Sequence, residues 1–467
     1  MGNTSIKNIC CIGAGYVGGP TMAVIANNCP EIDITVVDIN EERINSWNSE
    51  DLSELPIYEP GLKDIIKKCR GVNLYFSTEI AKSITKADVI FISVNTPTKQ
   101  KGVGAGFASD LKWIESSTRQ IAKFSTGHTI VVEKSTLPVR TAETIKNILL
   151  SSEEPSLNKI NQSIKRSFSI ISNPEFLAEG TAINDLQNPD RVLIGGEDPD
   201  SIDQIVGIYK NWIEPSKIIT TNLWSSELSK LVANAFLAQR VSSINTISAL
   251  CEATGANIQE VAKAIGTDRR IGESFLNAGP GFGGSCFKKD ILNLIYLCRF
   301  YSLNEVADYW EQIIKINLWQ QKRITAIIIQ KLFGTLTNKK LVILGFSYKA
   351  NTNDTRESPS ASISRDLLNE GAKLAIYDPK VTDKNIFKEF DGYNHNGEYI
   401  VCNSALIASE DADAILVLTE WDEFKDLEWY DIYAKMRKPA WIFDARVCLD
   451  RNYLKNIGFN IWTLGNE

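Results

Sequence analysis

Only two histidines occur in 467 residues, His128 and His395, so a mechanism built on an imidazole base has little to draw on. A catalytic base is expected instead from a carboxylate, a lysine or a cysteine. Nine cysteines is an odd number with no metal-type spacing, and Cys10 and Cys11 fall in an apolar run where they read as small core residues. Structural disulfides and a metal site are therefore not expected. Long runs of like charge are missing and the net charge of -7 is small for this length, which argues against nucleic acid or a membrane as partner. No apolar stretch approaches membrane-spanning length, and Met1 to Lys7 lack the basic-then-apolar pattern of a signal peptide, so a cytoplasmic location is expected. Gly2 makes no myristoylation signal, because Ile6 stands where that motif wants serine or threonine. The sequons at Asn3 and Asn161 read as chance matches in a cytosolic chain.

What the sequence does have is alternation. From Ile6 to about residue 220, short β-branched runs alternate with helical patterns: Ile9 to Ile12, Ile34 to Asp38, Val89 to Val94, Thr129 to Glu133, Phe168 to Ser172 and Arg191 to Ile194. That order predicts a parallel, doubly wound α/β sheet. Residues 223 to 265 and 302 to 333 change to periods of three and four, with Leu228, Leu231, Val232, Ala235 and Phe236 as an apolar stripe, which predicts a helical middle. Alternation returns from Lys339, with strands expected at Leu341 to Leu344, Leu374 to Tyr377, Ala414 to Leu418 and Trp441 to Phe443. This second α/β segment has no obvious phosphate loop. The polar stretch Ser151 to Ser167 reads as a surface loop.

The first strand runs into Gly13-Ala14-Gly15-Tyr16-Val17-Gly18, a G-x-G-x-x-G whose glycines permit a tight turn, backbone approach to a pyrophosphate and close helix packing. The next strand ends in Asp38, where an acid accepts hydrogen bonds from a ribose 2′-hydroxyl and repels a 2′-phosphate. NAD is expected rather than NADP, and Arg43, which would suit a 2′-phosphate, reads as a solvated helix residue. A glycine-rich turn without a nucleotide is the competing reading, disfavoured by the full order of strand, turn, helix, strand and acid. Val94-Asn95-Thr96-Pro97-Thr98 and Glu133-Lys134-Ser135-Thr136 close two further strands at the carboxyl edge, where such sheets hold ligands. Each is an ordinary turn unless the nicotinamide half lies there. The expected fold is α/β: two Rossmann-like doubly wound parallel-sheet domains, 1–220 and 336–467, joined by a central helical domain, 221–335, with a long spine helix.

Gly281-Phe282-Gly283-Gly284-Ser285-Cys286-Phe287-Lys288-Lys289-Asp290 delivers a cysteine to the start of a helical run. A helix N-terminus and neighbouring lysines favour a thiolate, and glycines on the approach expose backbone to a ligand, which a packing cysteine does not need. A buried structural cysteine is the alternative. Lys230 and Asn234 lie one helical turn apart and hence on one face, flanked by Leu231, Val232 and Ala233, so they read either as a solvated pair or as facing a partly buried cleft. Asn173-Pro174-Glu175-Phe176-Leu177-Ala178-Glu179-Gly180 sets two carboxylates on a strand-ending loop, as a general base or as helix-start acids.

From Ile6 to Leu464, the segments GAGYVG, VNTPT, EKST, NPEFLAEG, SSELSKLVANAFLAQR, GFGGSCFKKD and DTRES resemble, in this order, the UDP-glucose 6-dehydrogenase family, within the UDP-glucose/GDP-mannose dehydrogenases. The resemblance implies oxidation of carbon 6 of UDP-glucose to UDP-glucuronate, with two NAD reduced and no aldehyde released. It makes Cys286 the nucleophile that forms a thiohemiacetal and then a thioester. Lys230 and Asn234 would steady the oxyanion, Asp290 would position water, Glu175 would act as acid or base in thioester hydrolysis, and Thr136 would hold a water. By the same match Gly13 to Gly18, Asp38, Arg43, Val94 to Thr98, Ser135, Thr136, Leu137, Glu179, Cys286 and Arg356 line the NAD site. The UDP-sugar would meet Glu175, Phe176, Leu177, Ala178, Glu179, Lys230, Asn234, Arg270, Asn277, Gly281, Phe282, Gly283, Tyr348, Lys349 and Arg446. Arg270 and Arg446 would come from a neighbouring subunit or the site wall.

Departures from the family pattern are Asn277, where close animal relatives carry lysine, Pro280, and Ala445, where glycine is usual. They bear on pyrophosphate affinity and loop mobility rather than chemistry. Animal members assemble as hexamers of dimers and are inhibited by UDP-xylose through the loop around Thr136, so a homo-oligomer is implied. Competing readings keep the mechanism with another sugar nucleotide, replace it with a one-step alcohol dehydrogenase, or leave a silent binder. Cys286 discriminates against the one-step enzyme, because a single hydride transfer needs no covalent intermediate.

Overall fold

The structure, a computed structural model, describes residues 6–136, 138–151 and 166–466. Leu137 and most of the polar stretch before Ser167 lie outside the described residues. The chain forms two compact units, one of Met1–Ala233 with Leu292–Tyr301 and one of Asn234–Ile291 with Ser302–Glu467.

The first unit is built on eight strands: β1 Asn8–Ile12, β2 Asp33–Val37, β3 Leu74–Ser77, β4 Val89–Ile92, β5 His128–Glu133, β6 Ser167–Ser172, β7 Val192–Gly196 and β8 Ile218–Thr221. Their order is β3-β2-β1-β4-β5-β6-β7-β8. The central strands are mostly apolar because helices cover both faces; β4, Val89–Ile92, is apolar throughout and buried at all four residues. Chain order reverses between β1 and β4, which opens a ligand crevice at their carboxyl ends. One pairing departs from the expected parallel sheet. β6 and β7 run antiparallel, with Ile171 opposite Gly196 and Ser172 opposite Gly195. The half-buried β3 and β8 were not expected from the sequence pattern.

The second unit carries six parallel strands: β9 Lys340–Leu344, β10 Lys373–Tyr377, β11 Glu398–Val401, β12 Ala414–Val417, β13 Trp441–Asp444 and β14 Asn460–Thr463. They lie in the order β11-β10-β9-β12-β13-β14. Ile244, Leu276, Ile324 and Ile328 join Leu341, Ile343 and Phe346 in one apolar core, so the helical middle packs directly on this sheet.

The long helix expected at residue 223 runs from Leu223 to Thr254, 32 residues. Leu231 and Ala235 of the expected stripe are buried, but Leu228 and Phe236 are exposed, so the stripe is narrower than its spacing implied. Among the described residues no helix is long and apolar enough to cross a membrane.

Candidate active site

In the first unit the strand-turn-helix after β1 forms a nucleotide cradle. Gly13 has φ +111°, and a Cβ there would lie 2.3 Å from the Ser93 carbonyl oxygen after β4; a Cβ on Gly18 would lie 2.0 Å from the Gly13 carbonyl oxygen. A Cβ on Gly15 would meet nothing within 4 Å, which leaves its backbone open to a ligand. The helix Gly18–Asn28 starts at Val17 with no side chain capping its first N–H groups. Those donors and the helix dipole suit a pyrophosphate. Asp38 is buried, takes the Ala14 N–H at 3.0 Å and the Asn40 N–H at 2.9 Å, and pairs with Arg43 Nη1 at 3.0 Å. An open glycine, an uncapped helix start and a fixed carboxylate fit NAD.

The two polar turns beyond this cradle are tied together. The Ser135 hydroxyl donates to the Val94 carbonyl at 2.7 Å, and the Thr96 hydroxyl to the Thr136 carbonyl at 3.1 Å. Next to them lies a buried polar cluster. Lys134 Nζ is 2.8 Å from Glu175 Oε2 and donates to Asn173 Oδ1 at 3.1 Å and the Tyr209 hydroxyl at 3.2 Å. Glu175 Oε1 accepts the Phe176 and Leu177 N–H groups at 2.8 and 3.1 Å. Burial alone would push Glu175 up, but the ammonium of Lys134, helped by Lys230, carries it below the usual carboxylate range. Lys230 is buried with Nζ 5.2 Å from the centre of the Phe176 ring, which also carries the Arg191 guanidinium at 3.9 Å. Lys134, Asn173, Tyr209 and Arg191 were not singled out from the sequence. Glu179 is buried in the same loop, whose Gly180 N–H is held by the carboxylate of Glu59 at 2.6 Å.

The second unit presents the cysteine. Gly281 has φ +119°, and a Cβ there would lie 2.6 Å from Asn317 Oδ1, while a Cβ on Gly283 would lie 2.6 Å from the Glu357 carbonyl oxygen. Asn317 clamps Phe282 at both ends, accepting its N–H at 2.8 Å and donating to its carbonyl at 3.0 Å. The glycines thus thread backbone through a space already filled, and the turn ends with Cys286 exposed as a free thiol ahead of the helix Phe287–Phe300. One turn into that helix Asp290 is buried and accepts the Asn234 amide N–H at 2.6 Å. The lysines expected beside the thiol are engaged with acids, Lys288 with Glu357 at 2.8 Å and Lys289 with Asp290 at 3.9 Å.

On the same unit, Arg446 donates to the Tyr348 and Leu418 carbonyls, each at 2.8 Å, and pairs with Glu420 at 3.0 Å. Lys349 Nζ sits 5.8 Å from the Tyr348 ring centre. Arg356 is braced by Asp354 at 2.6 Å, and its carbonyl takes the Gly284 N–H at 2.9 Å, so the DTRES segment supports the cysteine turn. Arg270 and Asn277 lie on the surface, Arg270 paired with Asp268 at 2.6 Å. Among the described residues no group of three or more histidine, cysteine or acidic side chains is placed to hold a metal ion.

A dinucleotide cradle on a doubly wound sheet, in a chain that also carries an exposed cysteine at a helix head, defines a class: nucleotide-dependent oxidoreductases. Comparison with known proteins narrows it. Residues 7–213, 224–319 and 342–451 match the NAD binding, central and UDP binding domains of the UDP-glucose/GDP-mannose dehydrogenase family. The chain belongs to this family, and it is an NAD-dependent dehydrogenase. It is 55% identical to UDP-glucose 6-dehydrogenase of Gallus gallus, over 99% of this chain and 94% of that one. It is 54% identical to UDP-glucose 6-dehydrogenase 4 of Arabidopsis thaliana, over 98% and 96%. A UDP-glucose dehydrogenase structure from Pyrobaculum islandicum superposes with a TM-score of 0.81 at 25% identity, covering 95% of each chain.

Proposed function

We propose that the chain oxidises the C6 alcohol of UDP-glucose to the carboxylate of UDP-glucuronate in two hydride transfers. The observation that carries this reading is the exposed Cys286 at a helix head, on a turn whose glycines leave no room for side chains, with the Asn234–Asp290 pair one turn on. A one-step alcohol dehydrogenase has no use for such a thiol. Similarity to the chicken and plant enzymes supports UDP-glucose as the sugar nucleotide.

Bound NAD supplies the hydride acceptor; the remaining chemistry belongs to the chain. Gly13 to Gly18 take the pyrophosphate and Asp38 the adenosine ribose, with Val94 to Thr98, Ser135 to Leu137, Glu179 and Arg356 completing that site. After the alcohol has lost its first hydride and its proton, the Cys286 sulfur adds to the aldehyde carbon and forms a thiohemiacetal. Loss of the second hydride leaves a thioester, which water hydrolyses to the carboxylate and the free thiol. Lys230 and Asn234 stabilise the oxyanion at each tetrahedral stage, with Asp290 fixing the Asn234 amide. Glu175, held ionised, accepts the proton of the attacking water, and Thr136 holds that water. The UDP-sugar is bound by the 175–179 loop, Gly281 to Gly283, Asn277, Tyr348, Lys349, Arg270 and Arg446.

We place NAD binding in 1–220, the nucleophile in 221–335 and UDP binding in 336–467, in a cytoplasmic homo-oligomer. Phe236, Leu250, Tyr309 and Trp319, exposed apolar side chains of the second unit, support self-association.

The test is the NADH formed per UDP-glucose consumed, with the product identified by mass. Two per sugar with UDP-glucuronate is expected, and Cys286→Ser should lose net acid formation because serine is a far weaker nucleophile near neutral pH. One NADH per sugar, or a Cys286→Ser variant that makes acid at the parent rate, overturns the covalent scheme.

A further inference from the structure

A buried ion pair stands out in the first unit because burying two charges costs more than apolar packing would, so such pairs are poor devices for stability alone. Lys134 and Glu175 are such a pair, 2.8 Å apart, with side chains only 3% and 13% exposed. The ammonium donates to Asn173 Oδ1 and the Tyr209 hydroxyl and stands 2.8 Å from Glu175 Oε2 as its ion-pair partner. Those acceptors are themselves anchored. Tyr209 donates to Asn173 at 2.6 Å, and the Asn173 amide donates to the Leu193 carbonyl of β7 at 2.8 Å. Lys134 follows β5 directly and Asn173 follows β6, so the ammonium is fixed by the ends of neighbouring strands rather than by a loop. On the other side, Glu175 Oε1 holds the N–H groups of Phe176 and Leu177, and the Phe176 ring lies beneath Lys230.

From this geometry we infer that Lys134 is a positioning residue, which keeps Glu175 an oriented carboxylate and, through it, fixes the Phe176 loop beneath Lys230. The inference rests on the proposed reaction, in which Glu175 receives a proton. A carboxyl at this depth without a cation beside it keeps its own proton and cannot take up another, because burial disfavours the charged form. Lys134 reverses that balance. It touches no reacting atom; its contribution is the ionisation and direction of another side chain.

The experiment compares the parent enzyme with Lys134→Met and Lys134→Arg in two readouts. The first is the pH profile of kcat for NADH formation from UDP-glucose. The second is the infrared band of the protonated Glu175 carboxyl, identified by its loss in Glu175→Gln. In Lys134→Met the acid limb of kcat should move to higher pH, with about a tenfold loss at a pH where the parent is on its plateau, and the protonated band should persist to higher pH by a matching amount. Lys134→Arg should restore most of both. A purely structural role would lower kcat alike at every pH and leave limb and band in place, and that result overturns the inference. Should Lys134→Met fail to fold, Tyr209→Phe, which removes one anchor of the ammonium, should shift both readouts in the same direction by less; no shift overturns it equally. A parent enzyme that makes no UDP-glucuronate while the band still moves with Lys134 would retain the ion-pair role and discard the proposed reaction.

Discussion

Asp38 divides two oxygens among three donors. Oδ2 takes the Ala14 N–H and the Arg43 guanidinium, while Oδ1 takes the Asn40 N–H. The guanidinium that would suit a 2′-phosphate is thereby tied to the carboxylate that repels one. Replacing Asp38 by alanine should both remove the acceptor for a ribose 2′-hydroxyl and release Arg43. A hydrogen bond to a charged group is worth roughly 1.5–3 kcal/mol, so NAD should bind about ten- to a hundredfold more weakly while NADP improves. Titration of both cofactors checks this, and an unchanged preference would mean that the ribose is read elsewhere. This acid was legible because its partners are local, the turn after β1 and the helix after β2. Lys134 was visible only as part of a strand-ending turn. Its partners stand 39 and 75 residues further on, and no local pattern announces contacts of that separation.

The turn that enters the helix Thr141–Ser151 is held by a side chain from the long helix. Glu227 accepts the Arg140 N–H at 2.7 Å and the Ala142 N–H at 2.9 Å, and Arg140 sits at φ +75°, a conformation L-residues adopt reluctantly. Both Glu227 and its neighbour Glu133 are buried. Burial, with the Glu227 charge beside it, pushes Glu133 well up, and burial brings Glu227 from 4.5 up to about 7 against the pull of those N–H groups. Acids raised in the folded state bind protons that the unfolded chain releases, so their stabilising contribution is complete below about 4.5 and fades as pH rises through about 7. Glu133→Gln removes one of the two titrations. Between about pH 5 and 8 its stability should fall less than the parent's. Melting curves across that range check it, and a parent–variant difference independent of pH would sink the idea. At this scale the strongly apolar strands were legible, but the direction of β7 was not. An apolar run has the same period read from either end, and only two residue pairs set the antiparallel contact. β3 and β8 escaped because half-exposed four-residue strands leave little pattern to read.

The two sheets share one plan, with chain order reversing beside β1 in the first and beside β9 in the second. Each opening strand runs directly into a glycine of positive φ pressed against the neighbouring strand's end. A Cβ on Gly13 would lie 2.3 Å from the Ser93 carbonyl oxygen, and one on Gly345 2.3 Å from the Thr419 Cβ. Each second strand ends before an aspartate, Asp38 after β2 and Asp378 after β10. The plan repeats but the chemistry does not. Asp378 accepts the N–H groups of Phe346, Ser347, Lys380 and Val381 and the Trp421 indole, which fills the lone pairs a ribose would need. Ser347 stands where the open Gly15 would be, and the next helix, Pro359–Asn369, caps its own start with the Ser358 side chain. A dinucleotide placed as in the first sheet finds neither an open glycine at that turn nor an uncapped helix start. Calorimetric titration should therefore give one NAD per chain, not two. Asp378→Ala should lower the melting temperature, because six donors on five residues lose their acceptor, yet leave NAD affinity unchanged, the reverse of Asp38→Ala. Two NAD per chain, or loss of NAD affinity in Asp378→Ala, would show that the second sheet retains a dinucleotide site despite the saturation of its aspartate.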